Sequence, residues 1–194
     1  MKTGLRRFFL VTVGAILMMN LFGCSNIKFE KYSSKDVLIN LSMDYIAGWR
    51  HSETRGAYGS YAQVMFFPFE KGNESPRAII DITVKESAKI KPPFRTVKDA
   101  ADDIMRKRVQ FKDTKLLSES TIKVLGNDAT VIELSYLAPG SFVDVKAKSV
   151  PVKEKIIITK KGDNFYFVRY QNAAKEFDQY DAAFSHMVST MKLK

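Results

Sequence analysis

Few side chains in this 194-residue sequence combine a reactive type with the spacing that chemistry requires. The only histidines are His51 and His186, and neither has a partner at a metal-ligand spacing, such as a second histidine four residues away on a helix. Asp102 and Asp103 lie on the polar side of a predicted helix. Acidic side chains are favourable in the N-terminal half of a helix because of the helix dipole. Serine nucleophile elbows, phosphate-binding loops and dinucleotide fingerprints are absent from the sequence. We therefore predict that the chain is not an enzyme, has no metal site and requires no cofactor.

Cys24 is the only cysteine, and it follows a segment typical of bacterial export signals. Three basic residues precede an apolar stretch at residues 8–22, which has the length of a signal and is short for a membrane span of about 20 residues. Its end, residues 21–24, resembles the lipobox of bacterial lipoproteins, although residues smaller than Phe22 are usual there. The resemblance implies cleavage between Gly23 and Cys24 and attachment of diacylglycerol to the Cys24 thiol.

The export signal determines the predicted organisation of the chain. Residues 1–23 form a signal peptide, residues 24–34 form a lipidated tether and residues 35–194 form a single domain. Lipid on Cys24 would attach the protein to a membrane, since two or more acyl chains anchor a protein stably. We expect a lipoprotein of the cell membrane or outer membrane, with its domain in the periplasm or another extracytoplasmic space. The alternatives are an uncleaved N-terminal anchor and an ordinary signal whose cysteine is incidental.

The chain is basic, with 31 Lys and Arg residues against 21 Asp and Glu residues and a net charge of +10. A basic surface attracts anionic partners. Because an exported protein rarely meets nucleic acid, we expect no nucleic-acid partner and instead an envelope protein, an anionic lipid or an acidic glycan. The alternative is that the basic residues only keep the surface hydrated.

Beyond residue 34 the hydrophobic periodicity predicts strands, one helix, more strands and a terminal helix. Thr96 and Asp99 form a capping-box pattern that begins the first helix. From Phe177 to Met191, apolar side chains recur at spacings of three and four, which predicts the second helix. Residues 50–60 are polar and contain two glycines, so we expect a loop there. The first predicted strand begins at residue 37. The other predicted strands cover residues 61–69, 78–84, 116–124, 129–137, 152–159 and 165–170.

Short turns between the predicted strands determine how the strands pair. Residues 126–128 form one such turn, and residues 161–164 form another. Hairpin-linked strands imply an antiparallel sheet, and each amphipathic helix must cover a sheet face. We therefore predict an α+β fold, with an antiparallel β-sheet flanked by helices on both faces in an α/β/α sandwich.

A family resemblance covers most of residues 35–194. The features that carry it are the Gly48-Trp49 pair after an early strand, the strand at 78–84, the turn at 126–129, the aromatic residues at 164–167, and the spacing of Phe177, Tyr180 and Phe184. They resemble the PsbP-like family, named for an extrinsic subunit of the photosynthetic oxygen-evolving complex. Ala47 departs from the family pattern, which often has proline there, and no ligand set for manganese, calcium or chloride can be transferred. The resemblance implies a sheet with helices on its two sides and an accessory, assembly or docking role without catalysis.

Aromatic residues in the second predicted strand are candidates for binding. With Phe66, Phe67 and Phe69, and with Tyr58 and Tyr61 nearby, this segment has more aromatic residues than a half-buried strand requires. Strand alternation places Phe67 and Phe69 on one side and Phe66 on the other, so that one side could face a pocket or a partner. The alternative is that all three pack in the core.

Two basic loops are the other candidates for binding. The first loop contains Lys85, Lys89, Lys91 and Arg95, and the second contains Lys146, Lys148, Lys153 and Lys155. If both loops lie at one end of the sheet, they form a cationic patch that faces the membrane or an acidic polymer. If they do not, these residues only favour solubility.

These observations favour a lipid-anchored cell-envelope accessory protein that assembles or binds without catalytic activity. The alternative is a periplasmic carrier of a small apolar ligand or lipid in a cleft between sheet and helix. A hydrolase of envelope polymers is a third hypothesis, for which the sequence offers only unpaired carboxylates and two isolated histidines.

Overall fold

The computed structural model describes residues 27–69, 78–91, 93–139 and 148–194. These residues form ten β-strands and two α-helices, with three short 3₁₀ helices between them. In chain order the strands and α-helices are β1 (Phe29–Ser33), β2 (Leu41–Ile46), β3 (Arg50–Arg55), β4 (Ala62–Phe67), β5 (Ile79–Glu86), α1 (Val97–Arg108), β6 (Lys112–Val124), β7 (Asn127–Ala138), β8 (Val150–Lys161), β9 (Asn164–Ala173), α2 (Asp178–Ser189) and β10 (Lys192–Leu193).

The described strands form two antiparallel sheets. The large sheet has seven strands in the order β3-β4-β5-β9-β8-β7-β6, and the small sheet has three in the order β1-β2-β10. The predicted antiparallel pairing is confirmed, but the predicted single sheet is wrong. The second sheet forms because β2 pairs with two short segments near the ends of the domain, β1 and β10. Neither segment has the length or the alternation that predicts a strand from sequence.

Buried apolar side chains form two clusters, because successive residues of a strand point to opposite faces of a sheet. In β8, Ile156 and Ile158 belong to one cluster and Ile157 belongs to the other. The first cluster includes Ala100 and Ala101 of α1, and we call its face of the large sheet the α1 side. The second cluster includes residues of α2, β1 and β2, and we call its face the α2 side. On the α2 side, a helix and the small sheet together cover the large sheet.

Three polar segments differ from their sequence predictions. The predicted tether at residues 24–34 includes strand β1, in which Tyr32 is buried and its hydroxyl donates to a carboxylate of β3. The strand predicted just after it begins as a turn, closed by the Asn40 N–H, which donates to the Asp36 carbonyl at 3.0 Å. The predicted loop at residues 50–60 begins with β3, which pairs with β4 although most of its side chains are exposed. In each case, contacts with distant residues decide the local structure.

Helix α1 begins as its capping pattern predicts. The Asp99 N–H donates to Thr96 Oγ1 at 3.1 Å, and the Thr96 N–H donates to Asp99 Oδ2 at 2.9 Å. The Arg95 N–H also donates to Asp99 Oδ2, at 2.8 Å. Two of these bonds satisfy backbone donors that a helix start leaves free, and the backbone bonds from Thr96 and Arg95 hold the pKa of Asp99 below its ordinary value.

Replacement of Thr96 by alanine should lower the free energy of unfolding by about 1 kcal/mol, because the Asp99 N–H then loses its partner. Urea denaturation followed by circular dichroism measures this change. Lys98→Ala is the matched control in the same helix turn, and it should leave stability nearly unchanged because Lys98 is exposed and has no role in capping. Equal stability of Thr96→Ala and Lys98→Ala would show that the cap contributes nothing.

Candidate functional site

A cleft of about 380 Å³ lies on the α1 side, between helix α1 and the segment that follows strand β5. This volume falls within the usual range of small-molecule sites, about 300–1,000 Å³. Five cationic side chains line it, and they define what we call the basic cleft: Lys85, Lys89, Lys91, Arg106 and Lys107. Among the described residues, Asp103 is the single carboxylate in the lining. The cleft is therefore positive, and an anion is the ligand that it would attract.

Separate elements bring these cations together. Lys85 lies near the end of β5, where alternation with the buried Val84 turns it to the α1 side. Lys89 follows in the 3₁₀ helix after β5. Arg106 and Lys107 are in the last turn of α1, where cations also favour the negative end of the helix dipole. The cleft therefore depends on the packing of α1 over β7 and β8, which leaves the last turn of α1 facing the end of β5.

Asp103 neutralises part of this charge. Its carboxylate accepts from Arg106 Nη2 and from Lys107 Nζ, each at 2.5 Å. Burial opposes ionisation of Asp103, but these two cations hold its pKa below its ordinary value. Lys89 likewise pairs with Glu86, with Nζ 3.0 Å from Oε1. Three of the five cations are therefore already paired.

Lys85 is half-buried, and no carboxylate among the described residues pairs with it. Its Nζ lies 5.3 Å from the ring centroid of Phe167. Burial lowers the pKa of Lys85 and the charge of Lys107 lowers it further, while Asp103 acts in the opposite direction. By contrast, Arg169 pairs with two buried carboxylates on the same side of the sheet. A half-buried ammonium without a counterion is the feature of the cleft that a bound anion would stabilise most.

Aromatic and hydroxyl groups complete the wall of the basic cleft. Tyr61 and Phe94 line it together with Ser60. Phe94 is buried and packs edge-on against Phe165, with ring centroids 5.7 Å apart. Hydroxyls can donate to an anion, and aromatic faces can contact an apolar or planar group attached to it. The lining therefore fits an anionic group carried on a larger molecule.

The structure brings together part of the basic set predicted from the sequence. Lys85, Lys89 and Lys91 line the basic cleft, whereas Lys153 and Lys155 lie within strand β8. Arg95 is exposed at the start of α1, where its N–H donates to Asp99, and it does not line the cleft. Lys146 lies outside the described residues. A binding role for any of these side chains stays a prediction.

Lys148 is exposed and lies at the opposite end of the large sheet from the basic cleft. It precedes Val150, the first residue of β8. The last residue of β8, Lys161, pairs with Asn164, and Asn164 pairs with Glu86 beside the cleft. A strand of 12 residues spans about 40 Å. Lys148 therefore does not form one cationic patch with Lys89 and Lys91.

Arg106 and Lys107 complete the basic cleft, and neither residue belongs to a motif that predicts binding. A basic run at the end of a helix is typical of helix C-termini in general, so its presence in α1 carries no specific signal. The one available signal is spacing, since both residues lie within four positions of Asp103 and on its side of the helix. Their approach to Lys85 depends on tertiary packing, which the sequence pattern does not encode.

The alternation predicted for the aromatic strand is present in β4 and just after it. Phe66 is 0% exposed and belongs to the core on the α2 side, so the folded chain offers no Phe66 surface to a ligand. Phe67 is half-buried. Phe69 is 56% exposed, and the Arg50 guanidinium lies 3.9 Å from its ring centroid. Of these three phenylalanines, Phe67 and Phe69 are therefore the accessible ones, and neither lines the basic cleft.

The two histidines make structural contacts. His186 Nε2 lies 3.1 Å from Asp44 Oδ2, and its ring packs against Phe29 with centroids 4.1 Å apart. His51 packs edge-on against Tyr32, with centroids 5.4 Å apart. In the part of the chain that the structure describes, no group of three or more His, Cys, Asp or Glu side chains could hold a metal ion.

A second charged cluster lies on the α1 side and is buried. Glu154 accepts from Arg108 through Nε at 2.7 Å and Nη2 at 2.8 Å. Arg169 donates to Glu154 at 3.3 Å and to Asp81 at 2.6 Å. Burial opposes protonation of Arg169, but the two carboxylates raise its pKa above the ordinary value. Because its charges are mutually compensated, we interpret this cluster as structural and call it the buried ion network.

Gly23 and Cys24, the predicted cleavage and lipidation residues, lie outside the described residues. The first described residue is Ile27, which packs against the core on the α2 side. Across the described ranges, no helix has the length and apolar character needed to cross a membrane.

Comparison with solved structures shows what this fold is similar to. Cyanobacterial PsbP (CyanoP) from Synechocystis sp. PCC 6803 has 16% identity and a TM-score of 0.58, over 89% of this chain and 96% of that one. LpqN, involved in cell envelope biogenesis of Mycobacterium tuberculosis, has 10% identity and a TM-score of 0.55, over 87% and 92%. The Saccharomyces cerevisiae Ran-binding protein Mog1p has 8% identity and a TM-score of 0.53, over 86% and 96%.

The chain therefore has a mixed α and β fold similar to that of PsbP. The predicted resemblance is confirmed at the level of the fold, and these low identities show nothing beyond it. The sequence matches no family model and no curated protein.

Proposed function

We propose that this chain is a lipid-anchored accessory or assembly protein of the bacterial cell envelope, which binds an anionic partner in the basic cleft without catalysing a reaction. The observation that carries the proposal is Lys85, a half-buried cation without a carboxylate partner among the described residues, in a cleft lined by four further cations. The role of LpqN in cell envelope biogenesis, on a similar fold, supports the envelope setting.

Lipid on Cys24 is the proposed link to the membrane, in either the cell membrane or the outer membrane, with the folded domain in the periplasm or another extracytoplasmic space. The export signal and the lipobox-like residues 21–24 support it. Two or more acyl chains are enough for stable anchoring, because each buried CH₂ contributes about 0.8 kcal/mol.

The cationic lining favours this proposal over the carrier hypothesis. A carrier of a purely apolar ligand needs an apolar cavity, whereas the basic cleft presents five cations to its contents. The exposed aromatic surface at Phe67 and Phe69 lies on β4 and just after it, and neither residue lines the cleft. An anionic partner therefore fits the described surface better than an apolar one.

Cys24→Ala should abolish incorporation of labelled fatty acid and release the protein from the membrane fraction, because the thioether can no longer form. Fractionation of cells that express the full chain, with metabolic fatty-acid labelling, measures both effects. Ser25→Ala is the matched control at the neighbouring position and should remain membrane-bound. A Cys24→Ala protein that stays in the membrane fraction would contradict the anchor and favour an uncleaved N-terminal span.

Crosslinking in intact cells tests the accessory role itself. We expect the natural protein to yield a reproducible envelope partner, and a variant with Lys85, Lys89 and Lys91 replaced by glutamine to lose it. The matched control replaces Lys112, Lys115 and Lys123 of β6, which removes the same charge from the far edge of the sheet. Equal recovery with both triple variants would contradict binding through the basic cleft.

A further inference from the structure

The basic cleft and the start of the described chain lie on opposite faces of the large sheet. The cleft opens on the α1 side, where Phe94 and helix α1 pack. Ile27 and strand β1 pack on the α2 side. Packed layers are about 10 Å apart. The basic cleft and Ile27 are therefore separated by the large sheet and by the layers that cover it.

The two positions also lie toward opposite ends of the large sheet. The Ala47 N–H donates to the Lys28 carbonyl at 2.9 Å, which places the start of β1 beside the turn that precedes β3. Strand β3 runs from that turn to Arg55, which pairs with Ala62, and the neighbouring Tyr61 lines the basic cleft. The 6 residues of β3 span about 20 Å.

The proposed lipid on Cys24 is close to the point where the chain enters the fold. A fully extended backbone covers about 10 Å between Cys24 and Ile27. A bilayer that holds this lipid must therefore lie beside the start of β1, on the α2 side. The basic cleft opens on the other face and toward the other end, so it is turned away from the surface of that bilayer.

We infer that the basic cleft binds a phosphate ester presented from the solvent, and not a headgroup of the bilayer in which the lipid on Cys24 is inserted. The inference rests on the proposed function, because the orientation follows from the lipid anchor. It adds the chemical class of the ligand and the side from which the ligand arrives.

A phosphate ester fits the cleft better than a single carboxylate does. A phosphate monoester carries a charge of about −1.5 to −2 and three acceptor oxygens, whereas a carboxylate carries one charge on two oxygens. Lys85 approaches from β5 and Lys91 from the following segment, and the Arg106 guanidinium of α1 can bind two oxygens at once. Tyr61 and Phe94 are available to contact the organic part of the ester.

Isothermal titration of glycerol 3-phosphate into the full-length lipidated protein, reconstituted in neutral phosphatidylcholine vesicles, tests this inference. We expect saturable binding, and we expect Lys85→Met to weaken it by about tenfold or more, because a charge-assisted contact is lost. Lys89→Met, at an exposed position, provides a second variant that should fold normally and should also weaken binding.

Lys153→Met is the matched control, because Lys153 is also a strand lysine beside an aromatic ring, with Nζ 4.5 Å from the ring centroid of Phe177. It removes the same charge from the α2 side, away from the basic cleft, and should change binding by less than about twofold. Equal weakening by Lys85→Met and Lys153→Met, or no saturable binding to the natural protein, would overturn the phosphate site. The proposed function has a separate test, because the cellular crosslinks depend on the cleft and not on this ligand class.

Phosphatidylglycerol in the same vesicles distinguishes the two sources of phosphate. If the cleft is turned away from its own bilayer, this anionic lipid should leave the affinity for glycerol 3-phosphate unchanged within about twofold. Glycerol 3-phosphate could instead bind on phosphatidylcholine vesicles and fail to bind on phosphatidylglycerol vesicles. That result would show that the cleft binds headgroups of the anchoring bilayer, and it would overturn the inferred orientation of the cleft away from that bilayer.

Discussion

Glu154→Leu should lower the free energy of unfolding by about 3–5 kcal/mol, the usual effect of removing one partner from a buried ion pair. Glu154 is 0% exposed and is the carboxylate that pairs with Arg108. Without it, the Arg108 guanidinium stays largely buried without a counterion, and Arg169 keeps only Asp81 as its partner. Equilibrium unfolding in urea measures the change. The slope of the free energy of unfolding against urea concentration is compared between variants.

Glu133→Leu is the matched control for this prediction. Glu133 lies on the neighbouring strand β7 and pairs with Lys155 at 3.0 Å, but its side chain remains in contact with solvent. We expect a loss of about 1 kcal/mol or less, because ion pairs that solvent reaches contribute little. A double variant, Arg108→Met with Glu154→Leu, should recover part of the loss, since both charges are then removed. Similar values for Glu154→Leu and Glu133→Leu would show that the buried ion network has no special role.

The buried ion network also shows where sequence reasoning stops. Alternation places Asp81 on the opposite side of β5 from Ile80 and Ile82, and the structure has it there. A charged residue at such a position normally faces water, yet Asp81 is 3% exposed. Its burial depends on Arg169, which is distant in sequence and adjacent only after β5 pairs with β9. Alternation along a strand predicts which face of the sheet a residue lies on, but it does not predict what packs on that face.

Local signals predicted the elements that depend on local physics. The start of α1 follows from the reciprocal bonds of Thr96 and Asp99, which belong to one short segment. The hairpin between β6 and β7 was also predicted, although its two linking residues are Leu125 and Gly126, both with positive φ. Strands β1 and β3 were not predicted, because their side chains are mostly polar and exposed and their pairing partners hold them in place.

The candidate site was predicted only in part, for the same reason. Lys89 and Lys91 stand close together in sequence, so a basic segment after β5 is visible without a structure. The contribution of Arg106 and Lys107 requires α1 to pack over β7 and β8 with its last turn facing the end of β5. The separation of Lys148 from the cleft requires the length and direction of β8, which only the pairing register supplies.

Phe66→Ala should lower the free energy of unfolding by about 3–5 kcal/mol, because it removes a large side chain from the centre of the core. The Phe66 ring is in contact with the rings of Tyr32 and Tyr45, with centroids 5.1 Å and 5.4 Å away. These two tyrosines belong to β1 and β2, so the cavity would open between the large sheet and the small sheet. The measurement is equilibrium unfolding in urea, followed by tyrosine and tryptophan fluorescence.

Phe69→Ala is the informative comparison, because it deletes the same ring three residues away. Phe69 is 56% exposed and its described contact is with the Arg50 guanidinium, so its removal should cost only about 0.5–1 kcal/mol. If Phe66 lies in the core and Phe69 lies on the surface, the two variants should differ strongly in free energy of unfolding. Near-equal values would mean that the small sheet does not pack firmly on Phe66, and the proposed position of the anchor beside β1 would then lose its structural basis.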